Sequence, residues 1–306
     1  MQSKFGGYIV TVVLILLILV LGVRMIETKH LTPSLPVPNP DDNPRPPIPP
    51  APPPVVLEPK WTSAPALRAV DSSLGTVLGD IDSHMPAGHI YRDRNKVTWG
   101  HETTHGINAR LRNQGGERVK LVSGEWFYRP PFNAPIQWHS TNAFYVLGDR
   151  ACFVDEPDTT IREVADKIPR SLRGLRFQLY LIMQARSWND TPLYIWDEWV
   201  AYTNGAAVRY DLEMEQRSDS VDSMLEFCVY SMCVAHVSDS DDPQLKAFLM
   251  WHLDRSLELY QKQKTESATR YWYKFLENED ATKLRWWCIE YFGAEWSSDV
   301  LGIGEV

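Results

Sequence analysis

The hydrophobic positions divide the chain into three parts. Residues 8 to 23 carry no charge, and with Phe5 to Gly7 the apolar run reaches 19 residues, close to the roughly 20 that cross a bilayer as a helix. A proline-rich stretch follows, with 13 prolines between Pro33 and Pro59. Patterning typical of a folded domain begins at Trp61. The sequence therefore predicts a transmembrane anchor over residues 1–30, a linker over 31–60 and a folded domain over 61–306.

The apolar run could also be a signal peptide, because Lys4 precedes it. Bulky or charged residues follow the run at Arg24, Met25 and Ile26, where cleavage requires small ones, so an uncleaved anchor is favoured. Basic residues on the two sides nearly balance. The position of the run favours a cytoplasmic N-terminus and a folded domain outside the cytoplasm, in a single-pass membrane protein.

The proline-rich stretch predicts an extended spacer, because proline fixes φ and lacks the amide donor that helices and central strands need. A ligand for a proline-binding module is the alternative.

Periodicity in the domain predicts an α+β fold in which helix dominates. The predicted helices are Ala64–Gly79, Arg94–Gln114, Leu172–Trp188, Leu193–Gln216, Val221–Val237, Pro243–Lys264, Thr269–Asn278 and Ala281–Phe292. The predicted strands are Arg118–Leu121, Trp126–Tyr128, Ala143–Leu147 and Ala151–Val154, the last two joined by a turn at Gly148-Asp149.

Charge and cysteine content narrow the class of protein. A formal net charge of −8 without a basic stripe argues against nucleic-acid binding. No C-x-x-C pair occurs among the four cysteines, so a thiolate metal site is not expected. Cys228 and Cys233 lie too far apart on one helix to pair with each other. Buried thiols and disulfides both remain open, so cysteine does not settle the compartment.

The candidate chemistry lies in the predicted helix Arg94–Gln114, which contains His-Glu-Thr-Thr-His. His101 and His105 are four residues apart and so point the same way from a helix. Two imidazoles at this spacing can bind one Zn²⁺. Glu102 lies close to the same face, where its carboxylate can act as general base on a zinc-activated water. A surface helix with two solvated histidines is the alternative.

This motif resembles that of the zincin metallopeptidases, and the resemblance is confined to it and one later segment. Asn108 and Leu111 occupy the positions where metzincins continue the motif with glycine and a third histidine, so that branch is rejected. The resemblance implies a gluzincin-like site completed by a glutamate from a later helix. Glu198, in an E-x-x-A pattern within an apolar run, is similar to that glutamate, while Tyr202 stands where an aspartate often supports a ligand histidine.

Several residues remain as supporting candidates. Asp197 is an alternative ligand, or a partner for the second nitrogen of a ligand histidine. Tyr194 and Tyr202 lie one helical turn on either side of Glu198 and could stabilise an oxyanion. His89 and His139 are further possibilities for that role.

The sequence thus predicts a zincin-like metallopeptidase domain behind a membrane anchor and a proline-rich linker. His101, His105 and Glu198 are the predicted Zn²⁺ ligands, Glu102, Tyr202 and Tyr194 the predicted catalytic residues, and a peptide or protein the predicted substrate. A non-catalytic zincin-like binding module, or a stalked structural protein without metal, is the alternative.

Overall fold

The structure is a computed structural model that describes residues 57–86, 92–115, 119–120, 126–127, 141–213 and 219–304. The apolar run, and all of the proline-rich stretch before Leu57, lie outside these ranges, so the anchor and the spacer stay predictions. Within the described ranges, no helix combines the length and hydropathy that a bilayer span requires.

Helix dominates the described residues, and a small sheet accompanies it. The α-helices of seven or more residues are α1 (Thr76–Ser83), α2 (Lys96–Gly115), α3 (Ile161–Lys167), α4 (Leu193–Asp211), α5 (Ser220–Ser238), α6 (Pro243–Lys262), α7 (Glu266–Glu277) and α8 (Thr282–Phe292). Short helical turns lie at Ser72–Leu74, Arg170–Leu172, Glu279–Ala281 and Ala294–Trp296, and π-helix at Phe177–Met183 and Ser297–Leu301. The α+β prediction is confirmed at this level.

The strands are short and antiparallel. They are β1 (Trp61–Ser63), β2 (Val119–Lys120), β3 (Trp126–Phe127), β4 (Thr141–Tyr145) and β5 (Arg150–Asp155). One sheet has the order β1-β5-β4, with Ala143 opposite Phe153 and Trp61 opposite Cys152, and β2 pairs with β3. The predicted hairpin between β4 and β5 is confirmed, and its turn takes positive φ at Leu147, Gly148 and Asp149.

Two predicted helices differ from the structure. Helix in the stretch from Ala64 to Gly79 is limited to a turn at Ser72–Leu74 and the start of α1 at Thr76. Asp71 caps that turn by accepting from the Ser73 amide, and Gly75, at φ 88°, separates the turn from α1. Within the predicted helix Leu172–Trp188, Phe177–Met183 is π-helical. Ahead of it, the amides of Leu175 and Arg176 donate to the Glu226 carboxylate and not to backbone carbonyls.

The other predicted helices begin within a few residues of their predicted starts. Helix α3, for which the sequence pattern gave no bounds, begins at a capping box formed by Thr160 and Glu163. Asp242 caps α6 ahead of Pro243, which takes the first helical position. Thr265 caps α7 by accepting from the Ala268 amide.

Helices α2 and α4 pack tightly against each other and against β4. Gly100 on α2 faces Val208 on α4 with no room for a methyl group, since a Cβ would lie 2.8 Å from Val208 Cγ2. Tyr145 on β4 binds both helices through its backbone. Its amide donates to Asn108 Oδ1 at 2.8 Å, and its carbonyl accepts from Asn204 Nδ2 at 3.0 Å. These contacts fix the rotation of the two helices relative to each other.

The core is aromatic and aliphatic, and it holds the four cysteines as thiols. Trp196 and Trp199 are fully buried. Cys152, Cys228, Cys233 and Cys288 are all buried and unpaired, and burial raises the pKa of the Cys152 and Cys228 thiols to about 12. The aromatic residues of α7 and α8 divide between core and surface. Trp272 is buried, whereas Tyr273 and Trp286 are exposed.

Candidate metal centre

Two histidines on α2 approach each other at the interface with α4. His101 and His105 are four residues apart on the helix, and their Nε2 atoms lie 3.1 Å from each other. His101 is 9% exposed, so water covers little of it. The predicted helix around this pair is present, and it directs the two imidazoles to one point.

Glu198 on α4 completes the cluster from the opposite side. Its Oε2 lies 3.5 Å from His101 Nε2 and 3.6 Å from His105 Nε2. An ion that holds tetrahedral ligands at about 2.0–2.1 Å separates them by about 3.3 Å. The three separations bracket that value, and Glu198 Oε2 has no hydrogen-bond partner. His101, His105 and Glu198 therefore form a triad that can hold a metal ion.

Asp197 orients one of the candidate ligands and is not itself part of the triad. Its Oδ2 lies 2.8 Å from His105 Nδ1, which turns Nε2 towards Glu198. Its Oδ1 accepts from Asn108 Nδ2 at 2.6 Å, and Asn108 in turn binds the backbone of Tyr145. The geometry therefore fits Asp197 as a partner for the second nitrogen of a ligand histidine and not as a ligand itself. A carboxylate on the outer nitrogen is the usual support for a metal-binding histidine.

The environments of His101 and His105 shift their pKa values in opposite directions. Burial lowers the pKa of His101 well below its ordinary value, and the charge of His105 adds to that effect. Burial alone would lower the pKa of His105 too, but the charges of Asp197 and Glu198 outweigh it and raise that pKa well above the ordinary value. Burial raises the pKa of Glu198, and the charge of His105 opposes it. His105 is therefore the more basic of the two histidines.

Glu102 lies beside the triad, as its place on α2 predicts. It is partly buried, and its charge contributes to the raised pKa of Glu198. It makes no hydrogen bond or ion pair among those of the described residues. Among the described residues, no other side chain holds the Glu102 carboxylate in place.

Tyr202 packs on His101, and a second tyrosine joins it. The rings of Tyr202 and His101 have centroids 4.3 Å apart, and the Tyr202 hydroxyl lies 2.8 Å from the Tyr180 hydroxyl. Burial raises the pKa of each phenol, and the charge of Glu198 adds to the effect. Both hydroxyls therefore stay neutral, and since one of them donates to the other, one O–H of the pair is left to donate elsewhere.

The remaining predicted candidates stay predictions. The ring of Tyr194 stacks on Trp188, with centroids 5.2 Å apart, and Trp188 packs in turn on Tyr180. His89 and His139 lie outside the described residues.

Sequence reasoning missed three residues around the triad. Asn108 donates to Asp197 Oδ1, and no motif in the sequence indicates that contact. Tyr180 and Arg176 lie on the segment that leads into and forms the π-helix, and Arg176 lies 5.6 Å from the centre of the Tyr202 ring. A signal for Tyr180 and Arg176 was present, because they are four residues apart and so lie about one turn from each other. Nothing local indicated which helix they would face.

Comparison with family models, with curated proteins and with solved structures finds no match to this chain.

Proposed function

We propose that this protein is a zinc-dependent peptidase of the zincin type. His101, His105 and Glu198 would hold Zn²⁺, and Glu102 would act as general base. The observation that carries the proposal is the triad itself, with three donor atoms 3.1 to 3.6 Å apart and Asp197 behind His105. The H-E-x-x-H spacing on α2 supports it.

The donor set favours zinc in a catalytic setting. Two imidazoles and one carboxylate suit Zn²⁺, and three protein ligands leave a fourth position for water or substrate. When bound, zinc lowers the pKa of water and polarises a carbonyl oxygen. Structural zinc sites, by contrast, are closed by a fourth protein ligand, and only three residues form this group among those that the structure describes.

The residues around the triad would transfer the proton, stabilise the oxyanion and orient a metal ligand. Glu102 takes the proton from the attacking water and passes it to the leaving amine. The hydroxyl of Tyr202 or Tyr180 donates to the oxygen that becomes negative as the carbonyl is attacked. Asp197 holds His105 in the tautomer that presents Nε2 to the metal. Hydrolysis of a peptide bond uses all of these groups.

The test is metal content and hydrolysis on the same purified protein. We expect about one zinc per chain by elemental analysis, with zinc lost in His101→Ala. We expect Glu102→Gln to keep zinc and to hydrolyse a mixed peptide library at least a hundredfold more slowly. Hydrolysis by the Glu102→Gln variant at the wild-type rate would contradict the mechanism.

Two control variants separate the site from general damage. Glu290→Gln changes an exposed glutamate on α8, and His236→Ala a partly exposed histidine on α5. Both should retain zinc and activity. Stoichiometric zinc without turnover on any peptide would instead indicate a zincin-like binding module. Absence of zinc from the wild type would indicate a structural protein. The membrane anchor and the extracytoplasmic placement of the domain remain part of the proposal.

A further inference from the structure

Arg176 is a partly buried cation that packs beside Tyr202, the aromatic residue in contact with His101. Its side chain is 20% exposed. The guanidinium carbon lies 5.6 Å from the centre of the Tyr202 ring, and that ring lies 4.3 Å from the ring of His101. The cation is therefore at most about 10 Å from His101, a distance that about three residues of extended peptide can span.

Arg176 shares its orientation with Tyr180. The two residues are four positions apart, and both contact Tyr202, Arg176 through its guanidinium and Tyr180 through its hydroxyl. The backbone amide of Arg176 donates to Glu226 Oε2 at 2.9 Å, and Glu226 is only 6% exposed. The main chain that carries the guanidinium is thus anchored, which limits how far the cation can move.

The Arg176 guanidinium has N–H donors that are not used within the part of the protein that the structure describes. An arginine has five N–H donors. Nε donates to Ser223 Oγ at 2.8 Å, and Nη2 pairs with Asp219. Nη1 has no hydrogen-bond partner among the described residues. Asp219 is 66% exposed, so water screens its pairing with the arginine and a second carboxylate can still bind.

We propose that Arg176 binds a carboxylate of the substrate, so that this protein prefers peptides with a carboxylate within about three residues of the cleaved bond. The inference rests on the proposed peptidase function. The carboxylate could be the C-terminus of the peptide or an acidic side chain, because a guanidinium binds either one in the same way. Arg176 would act as a specificity-determining residue and not as a proton donor.

The test uses four forms of one peptide that the wild-type protein hydrolyses. Two forms end in a free acid or an amide, and two carry Glu or Gln next to the cleaved bond. We expect at least a tenfold preference in kcat/KM for one of the charged forms, since charge-assisted hydrogen bonds are stronger than those between neutral groups. Arg176→Gln should reduce that preference to about twofold or less, and Arg176→Lys should restore part of it.

Binding provides a readout that does not depend on turnover. The Glu102→Gln protein, loaded with zinc, is titrated with the same labelled peptides and Kd is measured by fluorescence anisotropy. A charged-form preference in Kd that disappears with Arg176→Gln supports the inference even where hydrolysis is not observed. Hydrolysis with equal rates and equal Kd for charged and neutral forms overturns it while the proposed peptidase function stands.

Two further variants guard against a trivial loss of folding. Arg173→Gln is the matched control, because Arg173 lies three residues away, donates to the carbonyls of Ile168 and Ala165, and packs over Phe177. It should leave the preference unchanged. Asp219→Asn removes the competing carboxylate at an exposed position and should raise the preference several-fold. A preference that Asp219→Asn lowers would contradict the assignment to Arg176.

Discussion

Asp197 Oδ2 accepts a hydrogen bond from His105 Nδ1 over 2.8 Å, across 92 positions of the sequence. The bond directs His105 Nε2 to a point that it shares with His101 and Glu198. Asp197 directly precedes the candidate ligand Glu198, so neighbouring residues of α4 contact both histidines of α2. Tyr202, one helical turn after Glu198, packs on His101.

Removal of the Asp197 carboxylate should weaken zinc binding more than it weakens the fold. We expect Asp197→Asn to reduce zinc affinity about ten- to a hundredfold, the usual effect of losing such a second partner of a metal-binding histidine. The measurement is a competition titration against a chromophoric chelator. Asp166→Asn, at an exposed position on α3, is the control. An unchanged affinity in Asp197→Asn would show that the bond does not orient His105.

Zinc affinity should fall with decreasing pH from a point above pH 6.5. The pKa of His105 in the metal-free protein is raised well above its ordinary value by the charges of Asp197 and Glu198, which outweigh burial. Below that raised pKa, zinc must displace a proton from His105, and the affinity drops by up to about tenfold per pH unit. Titrations between pH 6 and pH 9 would reveal the onset. An affinity that stays flat down to pH 6.5 would contradict the raised pKa.

Gly174 should tolerate no side chain. A Cβ at this position would collide with the carboxyl group of Glu226, which accepts from the amides of Leu175 and Arg176 and from the Tyr230 hydroxyl. We expect Gly174→Ala to lower the free energy of unfolding by about 1–3 kcal/mol, because the buried carboxylate loses its donors. Urea denaturation measures this. Gly304→Ala, where a Cβ meets nothing within 4 Å, should change stability by less than about 0.5 kcal/mol.

Glu156 should make the protein less stable as the pH rises. Burial raises its pKa to about 8 from an ordinary value of 4.5. The folded state therefore binds more protons than the unfolded state between these values, and stability falls from about pH 4.5 to about pH 8. Each unit of pKa difference corresponds to about 1.4 kcal/mol.

The comparison of Glu156→Gln with the wild type isolates this effect. The variant should lose that part of the pH dependence, so the difference in unfolding free energy between the two proteins should grow between pH 5 and pH 8. Glu290→Gln, at an exposed position, should follow the wild type throughout. A constant difference between Glu156→Gln and the wild type would mean that Glu156 is ionised in the folded protein.

Local patterns accounted for much of the fold. The bounds of α2, α5 and α6 followed closely from apolar periodicity, helped in α6 by the Asp242 cap. Helix α4 begins at its predicted residue Leu193 but ends at Asp211, before the predicted end at Gln216. The hairpin between β4 and β5 followed from its Gly-Asp turn. The two helices that were wrong, or wrong in type, contain Gly75 and Gly174. The backbone at Gly174 lies against the carboxyl group of Glu226 on α5. No pattern within the segment itself indicates that contact.

The sequence by itself determined that His101 and His105 share one face of a helix, because four residues make about one turn, and it indicated Glu198 as a carboxylate in an unusually apolar setting. Only the tertiary structure decided that Asp197 holds His105, that Tyr180 meets Tyr202 and that Arg176 faces the same site. Those pairings depend on the rotation and axial shift of α4 and the π-helix against α2. Packing at Gly100 and at the backbone of Tyr145 sets the position of α4 against α2. Hydrogen bonds from Arg176 to Glu226 and Ser223 tie the segment with the π-helix to α5.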